Sequence, residues 1–436
     1  MKTFTIKKGH NLKIEGVPVN KIIKVSDPDI VLFHPSSLKN TKIKLLVKEN
    51  EHIKIGTPLF YDKNNHKVLY VSSCSGNVTK ISFGPRRIVE SIIIKNDKLG
   101  TKLPINNKVS VNSLLNSGLF SYIRQKPFSK VPHFDSKPKS IFISSMPTEP
   151  FAIDYEYLMN QDVNYLQQGI DVLKQLYDCD IYFTSAPNSK FSDLSNVRHI
   201  TFNKLHPAGN VGIQIHKIDP IKNKNDVRWY LSLQDLDRIG QFFKEGECSN
   251  NRYINVGGNA FENPSIFKIL IGTSIHDIIK TNFDNNIKII SGDVLSGKRV
   301  NIDNTPGYYD EILSLIKTDS DREFLGWLRP GIDKYSLTNT FFSKLIFNRK
   351  SKITTKKNGS IRTIIPLGNW DKVMPMNIMI EYLVKNILIK DIDMMEKLGI
   401  YECSPEDFAL CSFACQSKVE VSHIIEQGLD LVEVED

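Results

Sequence analysis

The sequence contains no run of 18 apolar residues, so none of its helices is long and apolar enough to span a bilayer. Its opening text, MKTFTIKKGHNLKIEG, carries lysines with no apolar core behind them and does not read as a secretory signal. Cysteine is scarce: six in 436 residues make no disulfide framework, and reduced thiols are expected. Nucleotide fingerprints are missing too. Neither G-x-G-x-x-G nor G-x-x-x-x-G-K-[ST] occurs, so no dinucleotide turn and no P-loop is written in the chain. Basic residues are almost absent from the end of the chain, where residues 391–436 carry 2 basic against 12 acidic side chains.

What is present is the composition of a folded protein, 40% apolar and 24% charged, at a length that exceeds one ordinary core and suggests three or four domains. The net charge of +9 invites a nucleic-acid reading. Its distribution argues otherwise. Residues 1–100 hold 18 basic against 8 acidic side chains, with the lysines scattered through strand-like text and not grouped with aromatics. A solvated basic face is the first reading, a membrane surface or acidic protein partner the second, and nucleic acid the third.

Residues 30–95 read as short strands separated by turn signals. The stretches Ile43–Phe60, turning at Gly56, and Tyr70–Ile81, turning at Gly76, resemble the paired halves of biotinyl/lipoyl-carrier barrels. A carrier presents its modified lysine at a tight hairpin tip. Here the nearest hairpin, Asp62–Lys67, lacks the small hydrophobes expected beside such a lysine, and neither Lys63 nor Lys67 is expected to be modified. Residues 96–139 are polar and punctuated by Pro127, Pro132 and Pro138, which reads as a linker.

From about 138 to 250 the text alternates strand and helix: Ser140–Ser145, an amphipathic helix over Val163–Tyr177, Asp180–Ser185, and Val197–Phe202. This predicts a parallel α/β domain. Its richest glycine text, His206-Pro-Ala-Gly-Asn-Val-Gly-Ile-Gln-Ile-His216, is a G-x-x-G with no helix-like run after it. His206 and His216 find no carboxylate or cysteine at ligand spacing, so structural or interface roles are expected. Residues 253–300 give strand, turn, helix and strand in a β-grasp-like unit, where Gly257 and Gly258 read as tight turns before a phosphate cradle. After a basic loop over 350–357, Met374–Leu398 reads as one helix with a Met/Ile/Leu stripe, and an acidic helix over 419–436 closes the chain.

Three cysteines, Cys403, Cys411 and Cys415, fall within thirteen residues. A ferredoxin-type ligand run is C-x2-C-x2-C-x3-C-P, since four thiolates converge on one cubane. Cys411 and Cys415 fit its last pair, but Phe408 and Pro405 stand at the two preceding ligand positions and Gln416 where proline is usual. The other cysteines, Cys74, Cys179 and Cys248, have no C-x2-C partner. The segment reads as a relic whose Cys411 and Cys415 pack beside Phe408 and Phe413 as small apolar residues.

Ten stretches in order resemble the A subunits (NqrA) of the Na+-translocating NADH:quinone oxidoreductases. They are Phe60–Lys63, Ser75-Gly76, Gly84–Arg87, Lys126-Pro-Phe-Ser-Lys-Val-Pro132, His206–Gly209, Ile290-Ser-Gly-Asp-Val-Leu-Ser-Gly297, Glu323-Phe-Leu-Gly-Trp-Leu-Arg-Pro-Gly331, Ile365–Gly368, Val373–Pro375 and Glu406–Cys415. The resemblance implies four units: a biotinyl/lipoyl-carrier-like β half-barrel over 1–100, a Rossmann-like α/β domain with its linker over 101–250, an SLBB-like β-grasp domain over 251–340, and a C-terminal helical domain over 341–436 with the degenerate cysteine motif. The fold class is thus multidomain α/β, α+β overall.

The family is similar in turn to the C subunit of the Rnf complex and the NADH-binding subunit of respiratory complex I, which hold NADH and FMN on a glycine-rich loop. The corresponding text here, Arg124–Val131, has no glycine. The resemblance therefore implies a chain that binds no NADH, flavin, iron–sulfur cluster or metal itself, with no catalytic or cofactor-binding residue to name. It implies a peripheral protein on the cytoplasmic face of the bacterial inner membrane, docked on the membrane-embedded B subunit of a six-subunit complex that passes electrons from NADH to ubiquinone and exports Na+. Ubiquinone enters at the level of the complex, near this chain. The competing reading is an Rnf-type electron-input subunit with degenerate motifs.

Overall fold

The computed structural model describes residues 2–435 apart from 40, 160–162, 248, 281–285, 319–324, 326–327, 333, 338–340, 346–349 and 358. Cys248 and part of the stretch 323–331 that carries the resemblance therefore lie outside the described residues. Among the described residues the chain is mixed α and β, with a barrel-sandwich unit, an α/β layer, a β-grasp sheet and a helical tail.

A six-stranded sheet lies at the centre, in the order Lys2–Phe4, Arg198–Phe202, Asp180–Ser185, Ser140–Ser144, Arg228–Ser232, Arg124–Lys126. The first five strands run parallel and only Arg124–Lys126 is antiparallel. A parallel sheet must be covered on both faces, and the pleat divides its side chains accordingly. Ile141 and Ile143 point into one core, under the helices Asn164–Leu176 and Leu233–Glu245; Phe142 points into the other, shared with the helical tail. The two covering helices touch backbone to backbone. A Cβ on Gly240 would stand 1.8 Å from the carbonyl oxygen of Tyr165, and one on Gly169 2.6 Å from that of Leu236.

The stretch read as a linker is part of this domain. It holds the helix Val111–Asn116, the turn Leu119–Tyr122 and the edge strand Arg124–Lys126, with Leu114, Leu119, Phe120 and Ile123 buried. Its apolar residues come in ones and twos, Leu114-Leu115, Leu119-Phe120 and Tyr122-Ile123, separated by Asn, Ser and Gly118, too short for periodicity to show.

Two sheets form the half-barrel: Ile30–Phe33, Val89–Asn96, Gly76–Phe83 and His52–Ile53 in one, Ile43–Leu45, Pro58–Asp62 and Asn65–Val71 in the other. Gly76 has φ +148°, and a Cβ there would meet the Lys95 carbonyl oxygen at 2.0 Å. The hairpin tip bearing Lys63 and Lys67 is pinned: buried Asn65 donates to the Pro132 carbonyl at 2.7 Å, and Lys67 lies over the Phe134 ring. The first 25 residues lie outside this barrel, since Lys2–Phe4 joins the α/β sheet and Val19–Lys24 pairs with Ser265–Leu270 of the β-grasp sheet. That third sheet runs Lys298–Val300, Ile287–Ser291, Ile312–Lys317, Asn251–Gly257, Ser265–Leu270, Val19–Lys24, with the helix Ile275–Ile279 beside it.

The tail holds five α-helices among its described residues: Asn369–Val373, Ile380–Ile389, Ile392–Lys397, Ala409–Ala414 and Val421–Glu435. The single helix expected over Met374–Leu398 is broken. Residues 374–379 are extended or irregular around Pro375, and Lys390 turns at φ +60° between two shorter helices. Leu383, Val384, Met395, Phe408 and Leu429 share one core with Phe142, Phe202 and Ile213 of the α/β domain, so the tail closes the second face of the sheet.

Candidate functional site

Open α/β sheets receive ligands outside the carboxyl ends of their strands, where the strand order reverses. Here that point is the end of Ser140–Ser144, flanked by Asp180–Ser185 on one side and Arg228–Ser232 on the other. Two helices start near it, and a helix N-terminus favours anions through its free N–H groups and dipole.

The helix Leu233–Glu245 begins at Ser232, whose hydroxyl accepts from the Asp235 N–H at 3.2 Å. Asp235 itself is buried in the first turn, and its Oδ1 accepts from Arg252 Nη2 at 2.9 Å and Arg238 Nη1 at 3.4 Å. Arg252 comes from the β-grasp strand Asn251–Gly257, and Tyr155 donates to Glu311 beside it. A protein carboxylate, neutralised by two protein guanidiniums, holds this N-terminus.

The second helix, Val211–Ile218, corrects the sequence reading, because it begins within Gly209-Asn-Val-Gly212 itself. Its text Ile-Gln-Ile-His alternates like a strand, yet Gln214 anchors it as a helix. Thr184 Oγ1 donates to Gln214 Oε1 at 2.7 Å, and Gln214 Nε2 donates to Ser144 Oγ and the Ala208 carbonyl, both at 3.1 Å. Asn210 gives no side-chain cap to the first turn; its Nδ2 donates to the Glu406 carbonyl at 3.1 Å. Against that turn lies Asp407. A Cβ on Gly212 would stand 1.9 Å from Asp407 Oδ2, so glycine is what lets the carboxylate approach.

Asp407 Oδ2 accepts from Ser404 Oγ at 2.5 Å and lies 3.5 Å from Lys126 Nζ. Lys126 also donates to Ser404 Oγ and, at 3.4 Å, to Glu406 Oε1. Lys126, Ser404 and Asp407 are all buried. Burial opposes the charge of Lys126, but Glu406 and Asp407 outweigh it and hold its pKa above the ordinary lysine value. Burial raises the pKa of Asp407 against the pull of Lys126. Next along the edge strand, the Arg124 guanidinium lies over the Tyr230 and Tyr309 rings at 4.6 and 4.7 Å. The stretch Arg124–Val131, which the resemblance aligns with a flavin loop, thus brings two cations and Phe128 to a place where a glycine loop would leave backbone bare.

The two histidines do not converge on a common centre. His206 is buried, its Nδ1 3.2 Å from Thr148 Oγ1, and burial, aided by His10, pushes its pKa down to about 4. His216 Nε2 accepts from the Asn377 N–H at 2.9 Å, so Nδ1 carries the proton and donates to Glu402 at 2.7 Å, tying the α/β domain to the tail. Gly258 has φ +119° and would place a Cβ 2.0 Å from the Leu315 carbonyl oxygen, while its N–H donates to Gly16 at 2.8 Å. Strand packing occupies the space a phosphate would need.

Cys403, Cys411 and Cys415 are buried in the core that joins tail to sheet, with Phe408. Cys411 lies in the helix Ala409–Ala414 and directs its thiol at the Trp370 carbonyl, while Cys403 directs its own at Gly399. Burial raises the pKa of Cys403 and Cys411, whereas cluster ligation requires thiolates. Phe413 departs from expectation: its ring packs on Tyr335, outside that core. Burial in the half-barrel pushes the pKa of Cys74 up to about 12, against the opposing pull of its contact with Ser72. Cys179 lies partly buried behind the α/β sheet. Between half-barrel and β-grasp sheet lies an apolar cavity of about 50 Å3, lined by Phe33, His34, Leu38, Phe60, Ile271 and Tyr308. It has room for a few waters, and a benzene-sized ring needs about three times as much.

Sequence reading missed the Lys126–Asp407 pair. One signal was available: Ser404-Pro-Glu-Asp407 is an S-x-x-D capping pattern inside a motif read only for its cysteines.

Three family models match the chain in succession: the NqrA N-terminal barrel-sandwich hybrid domain over residues 4–97, the NqrA second alpha/beta domain over 105–248 and the NQRA C-terminal domain over 253–301. The A subunit of the Na(+)-translocating NADH-quinone reductase of Marinomonas sp. (strain MWYL1) is 33% identical over 447 residues, covering 99% of this chain and 100% of that protein. The protein of the same description from Pasteurella multocida (strain Pm70) is 34% identical over 449 residues, covering 99% and 100%. That of Rhodopirellula baltica is 32% identical over 450 residues, covering 99% and 98%. Among solved structures, an NAD+-reducing [NiFe]-hydrogenase in the air-oxidized state is similar over 42% of this chain and 41% of its own, at 10% identity and a TM-score of 0.33, too low to carry an argument.

Proposed function

The chain belongs to the NqrA family, the A subunits of Na(+)-translocating NADH-quinone reductase, and from that premise we propose that it is a cofactor-free structural component, docked on the membrane-embedded B subunit of the complex at the cytoplasmic face, beside the quinone-reducing end. It is one part of an oxidoreductase and not the catalytic one.

The observation that carries the cofactor-free reading is the occupancy of both helix N-termini at the strand ends. Asp235 with two arginines holds one, and Asp407 with Lys126 holds the other. A dinucleotide or flavin phosphate entering either place would meet a buried carboxylate and be repelled by it. The protonated, buried thiols of Cys403 and Cys411 support the same reading for the iron–sulfur site. No helix among the described residues is long and apolar enough to cross a membrane, which is compatible with peripheral attachment.

The test is made on the purified full-length chain and on the whole complex. The isolated chain is expected to be colourless, to hold no stoichiometric iron or flavin, and to show no NADH-dependent dye reduction. Dye reduction by this chain alone would revive the electron-input reading. In the membrane it is expected to co-migrate with a flavin-bearing complex on native gels and to cross-link to the B subunit. Photolabelling of that complex with a quinone analogue tests the remaining part: label confined to other subunits would reduce this chain to a scaffold.

A further inference from the structure

Gly76–Phe83 and Val89–Asn96 make a hairpin that outruns its neighbours in the half-barrel. The two strands pair with each other as far as Phe83 and Val89, whereas Ile30–Phe33 follows only to Ile92 and His52–Ile53 pairs only with Gly76 and Asn77. The turn Pro35–Ser37 props one side through Ser36, which donates to the Glu90 carbonyl at 3.3 Å, and residues 85–88 beyond it are all exposed. We infer that this tip, Phe83–Ile88, is a lipid-contact site: Arg86 and Arg87 take the phosphates of an anionic bilayer surface while Phe83 and Ile88 enter the apolar layer beneath them. The inference goes beyond docking on another subunit, because the partner is lipid.

Three observations converge on the tip. Phe83 and Ile88 bracket it and are 55% and 52% exposed, while Ile81 and Val89 fill the core below, so the fold needs neither outer side chain. Arg86 and Arg87 are exposed and, among the described residues, meet no carboxylate. Lys80 and Lys95 add two more cations to the hairpin, against one acid, Glu90, which is folded back on Gly84, where a Cβ would stand 2.1 Å from Glu90 Oε1. The third observation is the turn itself. Pro85–Ile88 is closed by the Ile88 N–H donating to the Pro85 carbonyl at 3.2 Å, and both central residues have positive φ, Arg86 at +55° and Arg87 at +59°. That geometry prefers Asn-Gly, and arginine adopts it only at a cost. Two arginines thus stand where local structure favours neither, which points to a task outside the fold.

Apolar side chains flanking cations on a projecting tip suit a bilayer, whose phosphates lie just above its hydrocarbon. An acidic protein surface answers the arginines alone.

Sedimentation of the purified full chain with vesicles tests it, using two parts phosphatidylcholine to one part phosphatidylglycerol against phosphatidylcholine alone. The wild type is expected to sediment with the mixed vesicles only, and less as salt is raised, since the attraction is screened. Arg86→Asn combined with Arg87→Gly is expected to weaken that binding about tenfold or more. The same variant should melt no lower than the wild type, because the turn gains its preferred residues. Phe83→Ser combined with Ile88→Ser should also weaken binding, at an unchanged melting temperature. A lowered melting temperature in the first pair would return the arginines to the fold, and undiminished binding in either pair would move lipid contact elsewhere; each overturns the inference. So does the absence of binding to the mixed vesicles, and if the first pair then also lost co-purification with the membrane subunits, the tip would belong to an acidic protein partner. No other subunit is present in the vesicle assay, so its failure leaves the docking proposal standing.

Discussion

Glu149 follows the strand that ends at the crevice, and its surroundings give the chain a measurable pH signature. Burial first, then the charges of Asp293 and Glu311, push its pKa up to about 7, although Thr148 N–H donates to its Oε2 at 3.0 Å. The folded chain therefore holds a proton that the unfolded chain releases above its ordinary value of 4.5. That contribution to stability is complete below the ordinary value and is lost as pH rises through about 7. Glu149→Gln is expected to remove this loss, leaving the variant more stable than wild type at pH about 8, by up to about 3 kcal/mol. Melting temperatures measured across that range check it, and parallel curves for the two proteins would refute it. Neighbouring His206 has the opposite sign. Its pKa, lowered to about 4, contributes stability that is present above the ordinary imidazole value and lost as pH falls toward 4.

At the level of the element, the contact between Asn164–Leu176 and Leu233–Glu245 separates two physical effects at a single glycine. Helix propensity alone favours alanine over glycine at Gly240 by about 1 kcal/mol. The Cβ it would add stands 1.8 Å from the Tyr165 carbonyl oxygen, which is backbone and cannot turn aside. The contact should win. Gly240→Ala is expected to lower stability by about 2 kcal/mol or more, read as a lower denaturation midpoint at unchanged slope; a rise would mean that the two helices part freely. The same elements show what sequence can and cannot convey. The helix Asn164–Leu176 was legible because Leu166, Ile170 and Leu173 recur on one face, and the strand Ser140–Ser144 because a doubly covered strand is apolar throughout. The edge strand Arg124–Lys126 was not, since its residues are polar and its pairing with Arg228–Ser232 is fixed by a partner about a hundred residues away. The site was least legible of all. Lys126 and Asp407 are separated by 281 residues, and the S-x-x-D pattern that ends at Asp407 marks a turn without marking the lysine that meets it. The glycines of Gly209-Asn-Val-Gly212 were visible, but what fills their cradle is set by the packing of the tail.

On the scale of the whole molecule, the tail has two faces with different tasks. Leu383, Val384 and Ile387 of the helix Ile380–Ile389 are buried in the core shared with the α/β sheet. Tyr382 and Ile389 are exposed on the opposite side, Ile389 by 71%, and Met379 and Leu388 are exposed at the two edges of the buried stripe. Large apolar side chains grouped on one outer face are costly to leave in water and commonly mark a contact with another protein. This face is where the proposed docking on the membrane-embedded partner is best tested. The pair Leu388→Glu, Ile389→Glu should change the stability of the isolated chain by no more than about 0.5 kcal/mol, because neither side chain supports the core. The same pair should abolish co-purification with the membrane subunits, because two carboxylates would have to be desolvated in an apolar interface. Both measurements are needed. Lost assembly with an unchanged melting temperature assigns the face to the interface, and lost assembly with a lowered one reports only a damaged tail. Normal assembly with both glutamates in place would move the docking surface elsewhere on the chain, the basic exterior of the half-barrel being the next surface to substitute.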